Sequence, residues 1–184
     1  MATAYALELM TAEEFGKRPD PGYPEELVQG RIIPGKYADP RHGLVCSQAR
    51  WLFGETVRDY DLGHLVALSG VITERDPDSV RGVDLSLYSY DRVPKGSLFD
   101  GYGPEVPEWA VEVVSAFDRW ADVLAKVAEL LNAGVLVVVV LDPGPNIAHV
   151  FSANDAPRTL TADEELTLPG IVEGFRVVVG RFFE

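Results

Sequence analysis

A strand, a helix and a second strand follow one another closely between residues 109 and 141. The first segment, 109–114, is short, apolar and rich in β-branched residues, and the last, VLVVVVL at 135–141, is apolar at every position. A strand that is apolar on both faces is typical of the centre of a parallel sheet. Two parallel strands joined by a helix form a βαβ unit, which takes a right-handed crossover.

The helix between these strands is indicated by its apolar spacing and by its two ends. Asp118 is the predicted N-cap, and Gly134 is the predicted residue after the last turn. One helical stripe holds the apolar residues Trp120, Val123, Leu124, Val127, Leu130 and Leu131.

The remaining segments predict one long helix and several strands around the βαβ unit. In chain order they are a short helix with Thr11 and Glu14 at capping-box spacing, a hairpin in EELVQGRIIPG, a helix over 41–60, strands over 63–74 and 82–91, a Gly/Pro-rich surface loop over 91–107, and short closing strands. No repeat or linker interrupts the chain. We therefore expect a single domain over residues 1–184, of the mixed α/β (α+β) class, with one central β-sheet flanked by helices.

Charge and composition exclude several classes of protein. The net charge of −13 argues against a broad electropositive face for nucleic acid or anionic membrane. Action on DNA then requires metal ions or a local basic groove. The basic residues concentrated near the hairpin and first long helix either line such a groove or are simply solvated: Arg31, Lys36, Arg41, Arg50 and Arg58.

Cysteine usage and hydropathy indicate the cellular setting. One cysteine, Cys46, excludes an intrachain disulfide and a cysteine-rich zinc site. No apolar run is long enough to span a bilayer, and the first residues lack the pattern of a secretory signal. We therefore expect a cytoplasmic protein without a membrane partner.

Glu112 stands in the middle of the apolar strand 109–114. Alternation places it on the same face as Ala110 and Val114. An ionised carboxylate in such a place is costly unless it meets a cation, hydrogen-bond donors or a metal. Lys126 lies just outside the apolar stripe of the next helix, from which its side chain can reach back toward the sheet.

A second acid, Asp84, lies early in the strand GVDLSLYSY. Alternation predicts that Asp84, Ser86 and Tyr88 share one face and that Val83, Leu85 and Leu87 share the other. If this strand pairs with 109–114, two carboxylates and a lysine converge. Mg²⁺ prefers oxygen ligands and needs only one or two carboxylates, while a lysine can stabilise charge on a phosphate.

These segments together resemble the Uma-type restriction endonuclease family of the PD-(D/E)XK nuclease-like superfamily. The resemblance rests on EELVQGRII, RHGLV, VDLSLY, PEWAVEVVSAFDRWADVLAKVAELLNAGV and VLDPG, in that order, and it covers most of the chain. It implies a restriction-endonuclease-like core and a nuclease that uses Mg²⁺ or Mn²⁺ on DNA or another nucleic acid. Dimerisation is implied by analogy, since cutting both strands of a duplex needs two sites.

The resemblance also assigns roles by position. Asp84 and Glu112 resemble the metal-binding acids, and Lys126 resembles a catalytic lysine that has moved from the strand to the helix. The backbone carbonyl of Val114 and the side chain of Glu26 are further candidate metal ligands. His42 matches a family histidine to which no role is assigned here. Val83 stands where the family usually has proline, which shapes the backbone and supplies no chemistry.

Each of these residues also has a purely structural interpretation. Glu112 and Lys126 can form an ion pair without catalysis, Asp84 can be a turn acid, and Glu26 can be solvated. The remaining polar residues are expected to be structural: His42 caps or packs locally, Cys46 lies in the core, and His64 and His149 pack without ligands. Two alternative functions follow, a catalytically inactive binding or assembly module and a metal-free acid–base hydrolase.

Overall fold

A mixed β-sheet forms the centre of the fold. The computed structural model describes residues 9–35 and 37–184. The strands of this sheet are β1 (Glu25–Val28), β2 (Arg31–Pro34), β3 (Gly63–Glu74), β4 (Ser79–Ser89), β5 (Trp109–Val113), β6 (Val137–Asp142), β7 (Ile147–Ser152) and β8 (Arg158–Leu160). The other elements are the helices α1 (Ala12–Gly16), α2 (Pro40–Asp59) and α3 (Trp120–Ala133), the strands β9 (Glu165–Leu168) and β10 (Val172–Val178), and a 3-10 helix (Val179–Phe183).

The strand order confirms the predicted βαβ unit. The sheet runs β2-β1-β4-β5-β6-β7-β8, with β3 paired along the other edge of β4. Strands β5 and β6 are parallel and joined through α3, and Glu112 lies opposite Val140 in their register. The neighbouring pairs β4–β5 and β6–β7 are antiparallel. The predicted class, a mixed central sheet flanked by helices, is confirmed.

Two apolar clusters cover the two faces of this sheet. Val111 and Val139 belong to the cluster beneath α2, β9 and β10. Ala110 and Val140 belong to the other cluster, with Val127 and Leu130 of α3. The alternation predicted for β5 is therefore correct, and it places Glu112 on the side of the sheet that α3 covers.

The predicted ends of α3 are right at one end and wrong at the other. Gly134 has φ 107° and closes the helix as predicted. Asp118 is not the N-cap, because its carboxylate accepts a hydrogen bond from the Ser115 N–H in the preceding turn, and the helix begins one residue later with Arg119 as N-cap. In the predicted stripe, Trp120 and Leu124 are exposed.

The predicted alternation along β4 fails around Asp84. Val83 packs with the α3 cluster, whereas Leu85 and Leu87 pack with the α2 cluster. The bridged pairs Ala67–Leu85 and Ser69–Val83 flank this position, and Leu68 between them has φ 53°. Leu68 belongs to β3, so the regular pleat of β3 is interrupted opposite Asp84.

Most other predicted elements are present, but of the strands expected to close the sheet only β7 joins it, whereas β9 and β10 pair with each other in a separate two-stranded sheet. The turn of the β1–β2 hairpin has Gln29 at φ 49° and Gly30 at φ 72°, which suits a two-residue hairpin turn. Thr11 and Glu14 form the predicted capping box. Lys36 of the predicted basic group lies outside the described residues. Within the described part of the chain, no helix combines the length and hydrophobicity that crossing a bilayer requires.

Candidate active site

Three charged side chains from three different elements meet on the α3 side of the sheet, and Asp84 lies beside them at the junction of β4 and β5. Lys126 of α3 places its Nζ atom 2.7 Å from Glu112 Oε2 on β5 and 3.6 Å from Glu26 Oε1 on β1. Asp84 of β4 accepts a hydrogen bond of 2.8 Å from the Val113 N–H, one residue beyond Glu112. The residues singled out from the sequence are thus brought together, although 100 residues separate Glu26 from Lys126.

Glu112 is buried, with 8% of its surface exposed. Burial raises the pKa of Glu112 to about 8; the nearby Lys126 opposes this rise, whereas Asp84 and Glu26 add to it. Its second oxygen, Oε1, is buried without a hydrogen-bond partner among the described residues. An unpaired carboxylate oxygen of this kind is costly, so the position favours a cationic ligand.

Lys126 is held between acids. Burial lowers the pKa of Lys126, but the charges of Glu112 and Glu26 outweigh this effect and leave the pKa above its ordinary value. The ammonium group is therefore charged at neutral pH. It enters the site from the flank of α3, as the position of Lys126 beside the apolar stripe predicts.

Glu26 connects this cluster to β4. Its Oε1 accepts a hydrogen bond of 2.8 Å from the Gly82 N–H, and its Oε2 lies 3.3 Å from Arg81 Nε. Arg81 in turn lies 3.5 Å from Glu129 of α3. Glu26 is therefore within reach of the lysine but is already tied to β4.

Val114, whose carbonyl is a predicted ligand, directly follows β5. Its N–H donates to the Leu141 carbonyl at 2.9 Å, which continues the parallel pairing beyond the end of the strand. This bond holds the backbone next to Glu112 in an extended position. A role for the Val114 carbonyl as a ligand remains a prediction.

Two residues of α2 that the sequence did not assign to the site, His42 and Cys46, lie next to Asp84. His42 Nε2 lies 3.4 Å from Asp84 Oδ2, and the Cys46 Sγ atom lies 3.5 Å from His42 Nδ1. Cys46 packs against the α2 cluster, as expected of it, and its thiol also faces His42. The expectation that His42 caps the helix is wrong. Asp39 supplies the helix cap instead, by accepting from the His42 N–H, which leaves the imidazole free to face the sheet.

The electrostatic setting of these two residues follows from Asp84. Hydrogen bonding to Asp84 raises the pKa of His42, and burial opposes the rise. Burial together with the charge of Asp84 raises the pKa of the Cys46 thiol. The one available sequence signal was the i, i+4 spacing of His42 and Cys46, which places two metal-ligating types on one face of a helix.

The two other histidines lie elsewhere. His64 Nε2 is 3.2 Å from the Pro94 carbonyl, and His149 Nδ1 is 3.0 Å from Thr159 Oγ1. The ring of His149 also packs on Trp120 at 4.8 Å between centroids. Both have the packing roles that were expected of them.

The donor set around Glu112 fits a hard divalent ion. Mg²⁺ and Mn²⁺ bind carboxylate oxygens and need few protein ligands. Glu112 offers a buried oxygen without a partner, and Asp84 presents a second carboxylate from the adjacent strand. The residues that would hold such an ion are Asp84 and Glu112.

Comparison with known proteins shows the family and the fold. The family model Uma2, described as "Putative restriction endonuclease", matches residues 12–180. A crystal structure of a putative nuclease belonging to DUF820 from Anabaena variabilis ATCC 29413 is similar, with a TM-score of 0.82 and 17% sequence identity over 95% of this chain and 97% of that chain. At this identity the similarity shows a shared fold. No protein with a curated description matches the chain.

Proposed function

We propose that this chain, which belongs to the Uma2 family of restriction endonuclease-like proteins, is a nuclease that uses Mg²⁺ or Mn²⁺ to hydrolyse phosphodiester bonds in DNA or another nucleic acid. One observation carries the proposal. The Lys126 ammonium lies 2.7 Å from a buried carboxylate, Glu112, whose other oxygen has no partner among the described residues. Asp84 approaches from the neighbouring strand.

Each residue has a distinct role in this proposal. Asp84 and Glu112 hold the ion, with Glu26 and the Val114 carbonyl as further candidate ligands. A bound divalent ion supplies Lewis-acid polarisation of a phosphoryl oxygen. Lys126 supplies a fixed positive charge in a site that excludes most water, where such a charge stabilises a developing negative charge on the phosphate.

The metal requirement is tested by incubating the protein with linear and supercoiled DNA in Mg²⁺, in Mn²⁺ and with excess EDTA. We expect cleavage with either ion and none with EDTA, since the two carboxylates hold the ion. With a net charge of −13, an ion in the site also reduces the repulsion of a polyanionic substrate. Cleavage that continues unchanged in EDTA contradicts the proposal.

One observation favours the inactive binding or assembly module. The ion pair between Lys126 and Glu112 is closed, and Glu26 also lies near the ammonium group, so charges in the site are partly balanced without a metal. The net charge of −13 also offers no broad surface for a polyanion. Calorimetric titration with Mn²⁺ separates the two functions, because the nuclease binds an ion that is lost in Glu112→Gln and the module binds none that depends on Glu112.

A second observation bears on the metal-free hydrolase. The raised pKa of Glu112 is the property that a general acid near neutral pH requires. Burial also accounts for the shift without any catalytic role, and the family match favours a nuclease. Activity that survives EDTA and disappears in Glu112→Gln is the result expected of the hydrolase.

The affinity for Mn²⁺ is expected to rise with pH. Because burial raises the pKa of Glu112 to about 8, most of this carboxyl is protonated at pH 6, and a proton must leave before an ion binds. Between pH 6 and pH 8 we expect the association constant to rise by up to about tenfold per pH unit. Calorimetry at pH 6, 7 and 8 measures this rise, and a constant affinity across the range contradicts it.

A further inference from the structure

A second group of potential ligands lies beside the carboxylates, on the α2 side of Asp84. His42 and Cys46 are one helical turn apart on α2, and both side chains face Asp84 on β4. His42 Nε2 lies 3.4 Å from Asp84 Oδ2 and 3.9 Å from Cys46 Sγ. A ligand atom from each residue lies within 4.8 Å of the others.

These separations are close to those of ligands around one tetrahedral ion. With bond lengths of about 2.0–2.3 Å and tetrahedral angles, the nitrogen, oxygen and sulfur ligands of Zn²⁺ are about 3.3–3.6 Å apart. The distance from His42 Nε2 to Asp84 Oδ2, 3.4 Å, lies within this range. The distance from His42 Nε2 to Cys46 Sγ, 3.9 Å, exceeds it by a few tenths of an ångström. The third separation, between Cys46 and Asp84, is at most 4.8 Å, so closing the site requires the Cys46 and Asp84 side chains to approach each other by up to about 1.2 Å.

The chemistry of this group differs from that of the Asp84–Glu112 pair. Thiolate and imidazole ligands select transition metals such as Zn²⁺ and Co²⁺, whereas carboxylates alone suit Mg²⁺ and Mn²⁺. Three protein ligands leave one tetrahedral position for water or a substrate atom. The side chains of His42 and Asp84 are 13% and 15% exposed, so the group is largely buried but touches solvent.

We propose that His42, Cys46 and Asp84 form a binding site for a transition-metal ion such as Zn²⁺, adjacent to the Asp84–Glu112 site and sharing Asp84 with it. This site goes beyond the proposed nuclease, which assigns no role to His42 or Cys46. On binding, the thiol proton passes to solvent, the thiolate and the neutral imidazole donate electron pairs to the ion, and no redox step occurs.

Cobalt titration tests the site because Cys46 is the one cysteine of the chain. A thiolate bound to Co²⁺ produces a sulfur-to-metal charge-transfer band in the near ultraviolet, and in this protein that band reports Cys46 alone. We expect the wild-type chain to show the band at one equivalent of Co²⁺ and to lose it when Zn²⁺ is added in competition.

The variants separate the two neighbouring sites. In Cys46→Ser the band is expected to disappear, and in His42→Ala the Co²⁺ affinity is expected to fall by at least about 10–100-fold, as losing even an outer-shell partner of a metal ligand does. Glu112→Gln is the matched control and is expected to keep the band. Far-ultraviolet circular dichroism confirms that each variant is folded.

Two results overturn the proposal: a folded wild-type chain without the band at saturating Co²⁺, or a band of unchanged affinity in His42→Ala. Neither result depends on DNA cleavage. If the band appears but DNA is not cleaved, the metal site is supported and the proposed nuclease function is contradicted. If DNA is cleaved but the band does not appear, the nuclease function is supported and the metal site is contradicted.

Discussion

Asp84→Asn is expected to reduce Mg²⁺-dependent DNA cleavage by at least about 100-fold, the usual effect of removing one preorganised electrostatic contact from an active site. The amide retains an oxygen that can accept the hydrogen bond from the Val113 N–H, so the junction between β4 and β5 is preserved. What the substitution removes is the negative charge that holds the ion. The initial rate of supercoiled-plasmid cleavage at saturating Mg²⁺ measures the effect.

Two further variants complete this experiment. Lys126→Ala is expected to lower the rate by about 10²–10³-fold, because it removes the positive charge next to the phosphate. Asp61→Asn is the matched control, since Asp61 forms an exposed pair with Lys95 and is expected to cleave at the wild-type rate. Equal cleavage by wild type, Asp84→Asn and Lys126→Ala would remove the basis for assigning these residues to catalysis.

Phe53→Ala is expected to lower the free energy of unfolding by about 3–5 kcal/mol, as large-to-small substitutions of buried aromatic residues do. Phe53 is fully buried on α2 and stacks on Phe175 of β10 at 4.0 Å between ring centroids. It also contacts Trp109 of β5 at 4.3 Å. Its removal leaves a cavity where three elements meet. Urea unfolding followed by circular dichroism measures the change.

Trp51→Ala is the control on the same helix. Trp51 is 52% exposed and has Arg181 above its ring at 5.6 Å. Its loss is expected to cost less than about 1 kcal/mol, since an exposed cation–π contact contributes about 0.5–1 kcal/mol. If Phe53→Ala lowers the free energy of unfolding no more than Trp51→Ala does, the packing of α2 against β5 and β10 does not contribute substantially to the stability of the fold.

Local pattern was sufficient to predict the centre of the fold. The continuous apolar run that forms β6 and the amphipathic stripe of α3 predict parallel strands. A strand that is apolar at every position is one whose two faces are both covered. The N-cap was less predictable. N-cap preferences favour Asp118 over Arg119, but the preceding turn captures the Asp118 carboxylate through the Ser115 N–H.

The candidate site was predictable in part for the same reason. A carboxylate in an apolar strand is anomalous in any fold, so Glu112 could be found without coordinates, and Lys126 followed from its place beside the helical stripe. Asp84 required the assumption that β4 and β5 are neighbours, which the structure shows. His42 and Cys46 showed only i, i+4 spacing, and nothing in that spacing indicates which strand they face.

The sequence alone specifies a βαβ centre with a buried acid. The periodicity of apolar residues and an acid placed within an apolar strand can both be recognised within a few consecutive residues. Which groups surround that acid depends on contacts between distant segments. The break in the pleat at Leu68, the seating of α2 against Asp84 and the arrival of Lys126 beside Glu26 all depend on packing across the sheet. Long-range packing of this kind leaves no periodic trace in the sequence, so the His42–Cys46–Asp84 group became visible only after the elements were assembled.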